Sequence, residues 1–147
     1  MFSQAGADTL VLIVAAGRGS RFGGEIPKQY RLLAGMPVLT RTIAAFARAL
    51  PEARLLATIH PDDLALYEGA VGALPKDVAA RLLPWAAGGA TRQASVRNGL
   101  ESVSSGAQKI VLVHDAARPF ASSELISRAR AAGRDFGAAV PGFSVTD

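Results

Sequence analysis

A run of apolar residues that ends abruptly in a glycine-rich, cationic loop constrains the fold of this chain more than any other feature. Residues 11–16 (VLIVAA) are all apolar, and the run is far too short to cross a membrane. A short run without alternating polar residues is typical of a strand that is buried on both faces, as in a parallel sheet. We therefore expect a parallel sheet built around this strand.

The loop that follows, residues 17–31, has the composition of a phosphate-binding loop. Its four glycines allow the backbone to approach a ligand closely and to adopt positive φ angles. Arg18, Arg21 and Lys28 place three cations against the single carboxylate of Glu25. Clustered N–H groups together with Arg and Lys suit a polyanion. The alternative is a glycine-rich surface turn that happens to be basic.

Two familiar phosphate loops do not fit this segment. A Walker loop ends in Gly-Lys-Ser or Gly-Lys-Thr, whereas here the glycines are followed by Glu25 and the lysine comes only at position 28. The dinucleotide fingerprint requires a third glycine where this chain has Phe22, and a helix where Pro27 soon follows. The loop therefore belongs to another class of phosphate site.

Hydrophobic periodicity predicts that helices and strands alternate along the rest of the chain. Leu39, Ile43, Phe46 and Leu50 recur at helical spacing, and Pro37 suits the first turn of that helix. The predicted elements are helices over about 37–51 and 62–71, after Thr91, and from Ser122 or Ser123 to about 133; strands over 54–60, 81–85, 110–113 and 137–141; and a loop over 72–77. This alternation predicts an α/β fold, a Rossmann-like three-layer sandwich with a mostly parallel sheet.

A second motif, GGATRQASV at residues 88–96, also joins a strand to a helix. Thr91 suits the N-cap position, and a helix that starts directly after a strand points backbone N–H groups outward. Arg92 and Ser95 lie on one stripe near the open end of this helix. An ordinary capped helix with a solvated arginine is the alternative. Two such junctions in a parallel sheet, however, both lie at its carboxyl edge, where ligands bind.

A third motif, KIVLVHDAARPF at residues 109–120, brings polar residues to the same edge. Asp115 suits Mg²⁺ or a ribose hydroxyl, and the alternative is that it caps a turn. His114 has no histidine partner at zinc-ligand spacing, so we expect a structural role. Asp62 and Asp63 are better explained by capping the start of a helix than by a metal site.

The composition fits one globular domain with a small anionic substrate. With 147 residues, 50% of them hydrophobic, the chain can bury an ordinary core, and the absence of cysteine excludes disulfides and thiolate metal sites. The net charge of +4 favours an anionic partner, but outside residues 17–31 the arginines are scattered singly, so we expect no nucleic-acid partner.

Residues 1–8 lack the features of a secretory signal and no segment reaches transmembrane length, which predicts a cytoplasmic protein without membrane association.

Taken in order, AAGRGSRF with PKQY, GGATRQASV and VLVHDAARPF resemble the motifs of nucleotidyltransferases, and among them the 2-C-methyl-D-erythritol 4-phosphate cytidylyltransferase family. The resemblance implies that Arg21 and Lys28 steady the triphosphate and that Asp115 serves the ribose and Mg²⁺. It also implies a cytidine pocket formed by Ala15, Ala16, Gly17, Gly89, Ala90 and Ser95. From the same motifs, the predicted nucleotide-binding residues also include Arg18, Gly19, Arg92 and Ala116. Ala90 is aspartate in some relatives, so base recognition there would depend on backbone groups.

The resemblance implies transfer of CMP from CTP to 2-C-methyl-D-erythritol 4-phosphate, with release of pyrophosphate and with Mg²⁺ or another divalent cation. Family members continue into an arm that forms a homodimer and contacts the acceptor. We therefore expect residues 1–147 to be one nucleotidyltransferase domain that lacks its C-terminal part, or the front of the form fused to 2-C-methyl-D-erythritol 2,4-cyclodiphosphate synthase. The alternatives are a ribitol-5-phosphate cytidylyltransferase, a nucleotide-sugar pyrophosphorylase and a nucleotide-binding module without turnover.

Overall fold

A computed structural model describes residues 8–18, 26–103 and 108–145. Over these residues strands and helices alternate, with short 3₁₀ turns at Lys28–Tyr30 and Pro61–Asp63. In chain order the elements are β1 (Thr9–Ala15), β2 (Leu32–Leu33), β3 (Met36–Pro37), α1 (Val38–Ala49), β4 (Arg54–Ile59), α2 (Leu64–Gly72), α3 (Lys76–Ala79), β5 (Ala86–Ala87), α4 (Arg92–Glu101), β6 (Ile110–Asp115) and α5 (Ser123–Phe136).

Four parallel strands form the central sheet in the order β5-β4-β1-β6. The chain adds β4 and then β5 on one side of β1 before it crosses to place β6 on the other side, so the strand order reverses next to β1. The register aligns the carboxyl ends of the strands, because Ala15 pairs with Ile59 and Val14 pairs with Asp115. Open parallel sheets bind ligands outside the carboxyl ends of the strands at such a reversal.

Helices cover both faces of the sheet, which confirms the predicted three-layer sandwich. Successive side chains of a strand point to opposite faces. Leu10, Leu12 and Leu56 therefore form a small cluster with residues of α4 and its surroundings. Val11 and Ile13 point to the other face, into the larger core that holds the apolar residues of α1, α2 and α5.

Several predicted boundaries are wrong. The predicted strand 81–85 is a single bridge between Leu82 and Leu55, and the paired segment lies later, at β5, since Pro84 has no N–H to donate to a ladder. The predicted loop 72–77 overlaps the end of α2 and the start of α3. The antiparallel hairpin of β2 and β3 was not predicted at all.

The predicted strand 137–141 is also wrong. Helix α5 does not end near residue 133 but continues to Phe136, and Gly137 ends it with a left-handed φ of 85°. Residues 138–145 are exposed and have no regular structure. A strand needs a neighbour to pair with, and this segment has none among the described residues.

Within the part of the chain that the structure describes, no helix has the length and apolar character needed to span a membrane.

Candidate active site

A cavity of about 800 Å³ opens at the carboxyl ends of the strands. Its size lies within the range of small-molecule sites. The chain segments that follow β1, β4, β5 and β6 all contribute to its wall, together with the 3₁₀ turn at Lys28–Tyr30. The lining residues are Val14, Ala15, Ala16, Gly17, Arg18, Lys28, Gln29, His60, Pro61, Gly88, Gly89, Ala90, Thr91, Arg92, Ser95, Asp115, Ala116 and Ala117.

The first wall is the beginning of the glycine-rich loop, and Arg18 is held there by the turn after β4. One terminal nitrogen of Arg18 lies 3.2 Å from Asp63 Oδ1 and 3.3 Å from Asp62 Oδ2. The Asp63 side chain is 4% exposed and that of Asp62 is 71% exposed, so the pair reaches from the interior to the surface. Both carboxylates lie at the start of the helical segment, as predicted, and Asp63 occupies the N-cap position of α2. The Asp63 side chain makes no capping hydrogen bond there, and the N–H of Asp62 is instead accepted by His60 Nδ1.

A buried phenol lies behind this ion pair. The Tyr30 side chain is buried, and its hydroxyl has no hydrogen-bond partner among the described residues. Burial raises the pKa of the Tyr30 phenol well above its ordinary value, and the negative charge of Asp63, together with that of Tyr67 once its phenol ionises, adds to the rise. Burial also raises the pKa of Tyr67. Both phenols therefore remain neutral at physiological pH.

The second wall is the junction from β5 into α4. Thr91 is the N-cap of α4, as predicted, and its Oγ1 accepts the N–H of Ala94 at 3.0 Å. The buried hydroxyl of Ser95 accepts the N–H of Gly89 at 3.0 Å and donates to the carbonyl of Thr91 at 3.0 Å. Ser95 thus shapes the two-glycine turn that faces the cavity.

The third wall carries a carboxylate between two arginines. Asp115 Oδ1 lies 2.8 Å from Nε of Arg92, and Oδ2 lies 3.2 Å from Nε of Arg118. The preceding residue, His114, has structural contacts, as predicted: its Nε2 lies 2.8 Å from the carbonyl of Arg118 and its ring packs against Phe46. Arg92 thus anchors the second motif to the third, and Arg118 holds Asp115 from within the third motif.

The predicted site residues that the structure describes meet at this one cavity. Those within the described residues that line it are Ala15, Ala16, Gly17, Arg18, Lys28, Gly89, Ala90, Arg92, Ser95, Asp115 and Ala116. Gly19 and Arg21 lie outside the described residues. The lining also includes His60, Gln29 and Gly88, which were not predicted. His60 had a sequence signal, since it is the last residue of the predicted strand 54–60, whose carboxyl end lies at the ligand-binding edge.

Comparison with known proteins places the chain in a family. The family model described as "IspD: 2-C-methyl-D-erythritol 4-phosphate cytidylyltransferase" matches residues 9–147. The bifunctional enzyme IspD/IspF of Rhodospirillum rubrum is 48% identical over 141 residues, which are 96% of this chain and 35% of that protein. The 2-C-methyl-D-erythritol 4-phosphate cytidylyltransferase of Cereibacter sphaeroides is 47% identical over 139 residues, which are 95% of this chain and 60% of that protein.

Solved structures share the fold. The 4-diphosphocytidyl-2C-methyl-D-erythritol synthase of Anaerococcus prevotii superposes with a TM-score of 0.69 at 26% identity, over 86% of this chain and 51% of that one. The bifunctional IspDF of Campylobacter jejuni gives a TM-score of 0.66 at 22% identity, over 85% of this chain and 30% of that one. This chain thus spans about a third to three fifths of the length of these relatives. The family match over nearly the whole sequence shows that the chain belongs to the 2-C-methyl-D-erythritol 4-phosphate cytidylyltransferase family.

Proposed function

We propose that this protein binds CTP in the cavity and transfers its cytidylyl group to 2-C-methyl-D-erythritol 4-phosphate, releasing pyrophosphate. The observation that carries the proposal is that three motifs, distant in sequence, line one cavity of nucleotide size. The cations Arg18, Lys28 and Arg92 and the carboxylate of Asp115 are among the lining residues. The activity named for the relative from Cereibacter sphaeroides supports the same reaction.

The reaction would require positioning and charge stabilisation from the protein and no general base. An oxygen of the acceptor's phosphate forms a bond to the α-phosphorus of CTP while the bond to the pyrophosphate oxygen breaks. The attacking phosphate is already anionic, and negative charge builds on the α-phosphoryl oxygens. Lys28 lines the cavity and would stabilise that charge. Arg21 shares this role in the proposal on the strength of its motif.

The wall formed by the Gly88–Gly89 turn and Ser95 would hold the cytidine. Ser95 uses its hydroxyl to fix the turn, so the base would be recognised chiefly by backbone groups, Ala90 included. Asp115 would face the ribose. Its side chain is 34% exposed and is oriented by two arginines, which fixes the direction of its remaining lone pairs.

The donor set of the cavity fits Mg²⁺ that arrives with the nucleotide. Mg²⁺ characteristically takes one or two carboxylates, keeps several waters and binds substrate phosphates. Asp115 supplies one carboxylate, and among the described residues no cluster of three metal-ligating side chains competes for the ion. When bound, Mg²⁺ would neutralise phosphate charge. Asp115 and the triphosphate would hold it.

The test is a pyrophosphate-release assay with each of four NTPs against three acceptors, 2-C-methyl-D-erythritol 4-phosphate, ribitol 5-phosphate and a sugar 1-phosphate, with and without EDTA. We expect release only with CTP and the methylerythritol phosphate, abolished by EDTA and restored by Mg²⁺. Release with ribitol 5-phosphate, or with a sugar 1-phosphate and another NTP, would assign a different transferase. Binding of CTP without any release would indicate a nucleotide-binding module.

The same assay tests the role of Lys28. Lys28→Ala should lower kcat about a hundredfold, since one preorganised charge is worth about 3 kcal/mol in a transition state. The Kd for CTP, measured by calorimetry, should change only a few-fold. Lys76→Ala is the matched control because Lys76 is exposed at the start of α3 and does not line the cavity. Equal turnover by the two variants would remove Lys28 from the mechanism.

A further inference from the structure

A single buried amide joins the two parts of the phosphate loop that the structure describes. The Gln29 side chain is buried, with the residue 4% exposed. Its Nε2 donates to the carbonyl of Ala15 at 2.6 Å and to the carbonyl of Gly17 at 3.0 Å. These two carbonyls flank the point at which the chain leaves β1 and enters the glycine-rich loop.

The backbone of Gln29 belongs to the other side of the loop. It lies in the 3₁₀ turn Lys28–Tyr30, which is closed by a hydrogen bond of 2.9 Å from the N–H of Tyr30 to the carbonyl of Pro27. Because Lys28 is the preceding residue, a shift of Gln29 relative to β1 would shift Lys28 as well. The amide therefore sets the spacing between Gly17 and Lys28, and both of these residues line the cavity.

We propose that Gln29 is a positioning residue that fixes Lys28 against the first glycine of the loop in the geometry needed for cytidylyl transfer. This inference rests on the proposed function. Catalytic groups must be held to within about 0.5 Å of their productive position, and a misplacement of about 1 Å can cost a hundredfold in rate. Ground-state binding of CTP should be less sensitive, because the wall of Gly88, Gly89 and Ser95 is held by its own hydrogen bonds and Ala15 is also held in β1 by its pairing with Ile59.

The two-carbonyl arrangement also predicts which substitutions are harmful. Gln29→Met keeps the length and volume of the side chain but removes the N–H donor. The carbonyls of Ala15 and Gly17 then lose their hydrogen bonds to this side chain. Gln29→Glu places a carboxylate oxygen where the amide nitrogen lay, against two carbonyl oxygens, and should be worse. A buried glutamine that merely fills space would tolerate methionine.

A buried threonine on α1 provides a matched control. Thr40 is 1% exposed, and its Oγ1 donates to the carbonyl of Ala70 at 2.7 Å. Thr40→Val therefore removes a buried bond from a side chain to a backbone carbonyl, as Gln29→Met does. Thr40 does not line the cavity.

The experiment compares Gln29→Met, Gln29→Glu and Thr40→Val for kcat, CTP affinity, thermal unfolding and hydrogen exchange. We expect Gln29→Met to lower kcat at least tenfold with less than a threefold change in the Kd for CTP, and Gln29→Glu to lower it further. Thr40→Val should unfold at a similarly reduced temperature and keep its kcat. Retained kcat in Gln29→Met, or an equal loss of kcat in Thr40→Val, would overturn the proposal.

Hydrogen exchange separates this proposal from the proposed function. Amides of residues 15–18 should exchange faster in Gln29→Met than in the unsubstituted protein or in Thr40→Val, whether or not CMP transfer occurs. If the unsubstituted protein released no pyrophosphate with any NTP, the proposed function would fail. Unchanged exchange in residues 15–18 of Gln29→Met would instead show that Gln29 does not hold the loop.

Discussion

At Gly88 the wall of the cavity has room for a hydrogen atom and for nothing larger. A Cβ built at this position would overlap the Cβ of Ala16, and it would lie 3.2 Å from Ser95 Oγ and 3.3 Å from the carbonyl of Ile59. The N–H of Gly88 also donates to that Ile59 carbonyl at 2.8 Å. The ends of β1, β4 and β5 thus approach each other as closely as they do because this residue has no side chain.

Gly88→Ala should push the second motif away from the first. The overlap falls on the Ala16 methyl group, which cannot rotate away, and the Ile59 carbonyl is also close, so we expect a stability loss of about 1–3 kcal/mol. The Kd for CTP should rise at least tenfold, because the two walls of the cytidine site separate. Urea unfolding and calorimetry with CTP measure the two effects.

Gly69→Ala is the control for that substitution. Gly69 lies inside α2, and a Cβ there meets nothing within 4 Å. Alanine should stabilise the helix by about 0.5–1 kcal/mol and leave CTP binding unchanged. Similar CTP affinities in the two variants would show that the close approach at Gly88 has no importance for the site.

The sequence predicted which residues line the cavity wherever a motif placed a residue at the end of a strand. All the predicted site residues within the described chain line one cavity, because parallel strands bring their carboxyl ends to one edge. Gln29 was missed because glutamine gives no signal for a buried bond to two carbonyls. Gly88 was missed because a close approach of two strand ends depends on register, which a single sequence does not reveal.

Among the elements, α1 depends on an arginine from a distant part of the chain. The last carbonyls of a helix have no partners within it. The Arg81 side chain donates hydrogen bonds to carbonyls at and just after the end of α1. Nη2 donates to the Ala47 carbonyl at 2.9 Å, and Nη1 donates to the Leu50 carbonyl at 2.9 Å and to the Ala53 carbonyl at 3.3 Å. The cation also lies at the negative end of the helix dipole.

Arg81→Ala should destabilise the protein by about 2–3 kcal/mol, since hydrogen bonds to charged groups are the stronger class and three carbonyls lose a donor. Arg81→Lys should lose less but still lose stability, because an ammonium does not reproduce the planar fork. Arg48→Ala, at an exposed position on α1, is the control and should stay within about 0.5 kcal/mol. The urea concentrations at the unfolding midpoints, compared at an unchanged m-value, measure the stability of all three variants. Equal midpoints for Arg81→Ala and Arg48→Ala would contradict this role.

The same contact explains part of what the sequence failed to predict at this scale. Residues 81–85 are mostly apolar, which predicted a strand. In the structure the Arg81 side chain bonds to the end of α1 and Pro84 has no N–H to pair, so only Leu82 bridges to β4. Helix α1 was predicted because its apolar residues recur at helical spacing over about three turns. Strands β1 and β4 were predicted because short, almost wholly apolar runs are typical of strands buried on both faces. The hairpin of β2 and β3 turns on Ala34 with a φ of 47°, which is an uncommon conformation for alanine.

The whole molecule has a stability that should depend on pH at the alkaline end. Burial raises the pKa of Tyr30 above its ordinary value in the folded state, and Tyr67 is raised in the same direction. An unfolded tyrosine loses its proton near pH 10, whereas the folded protein still holds it. The folded state therefore binds more protons above that pH. The stabilisation is complete below about pH 10 and is lost as the pH rises towards the folded pKa.

Tyr30→Phe should separate this effect from packing. Near pH 7 the variant should unfold at nearly the same urea concentration, because the buried hydroxyl has no partner among the described residues and the ring is retained. Above about pH 10 the free energy of unfolding of the unsubstituted protein should fall by up to about 1.4 kcal/mol per pH unit for each such tyrosine. In Tyr30→Phe the contribution of one tyrosine to this slope should be missing. Tyr67→Phe should reduce the slope as well. Urea unfolding at half-unit steps from pH 8 to pH 11.5 measures the slopes, and parallel curves for Tyr30→Phe and the unsubstituted protein would show that the Tyr30 phenol titrates alike in both states.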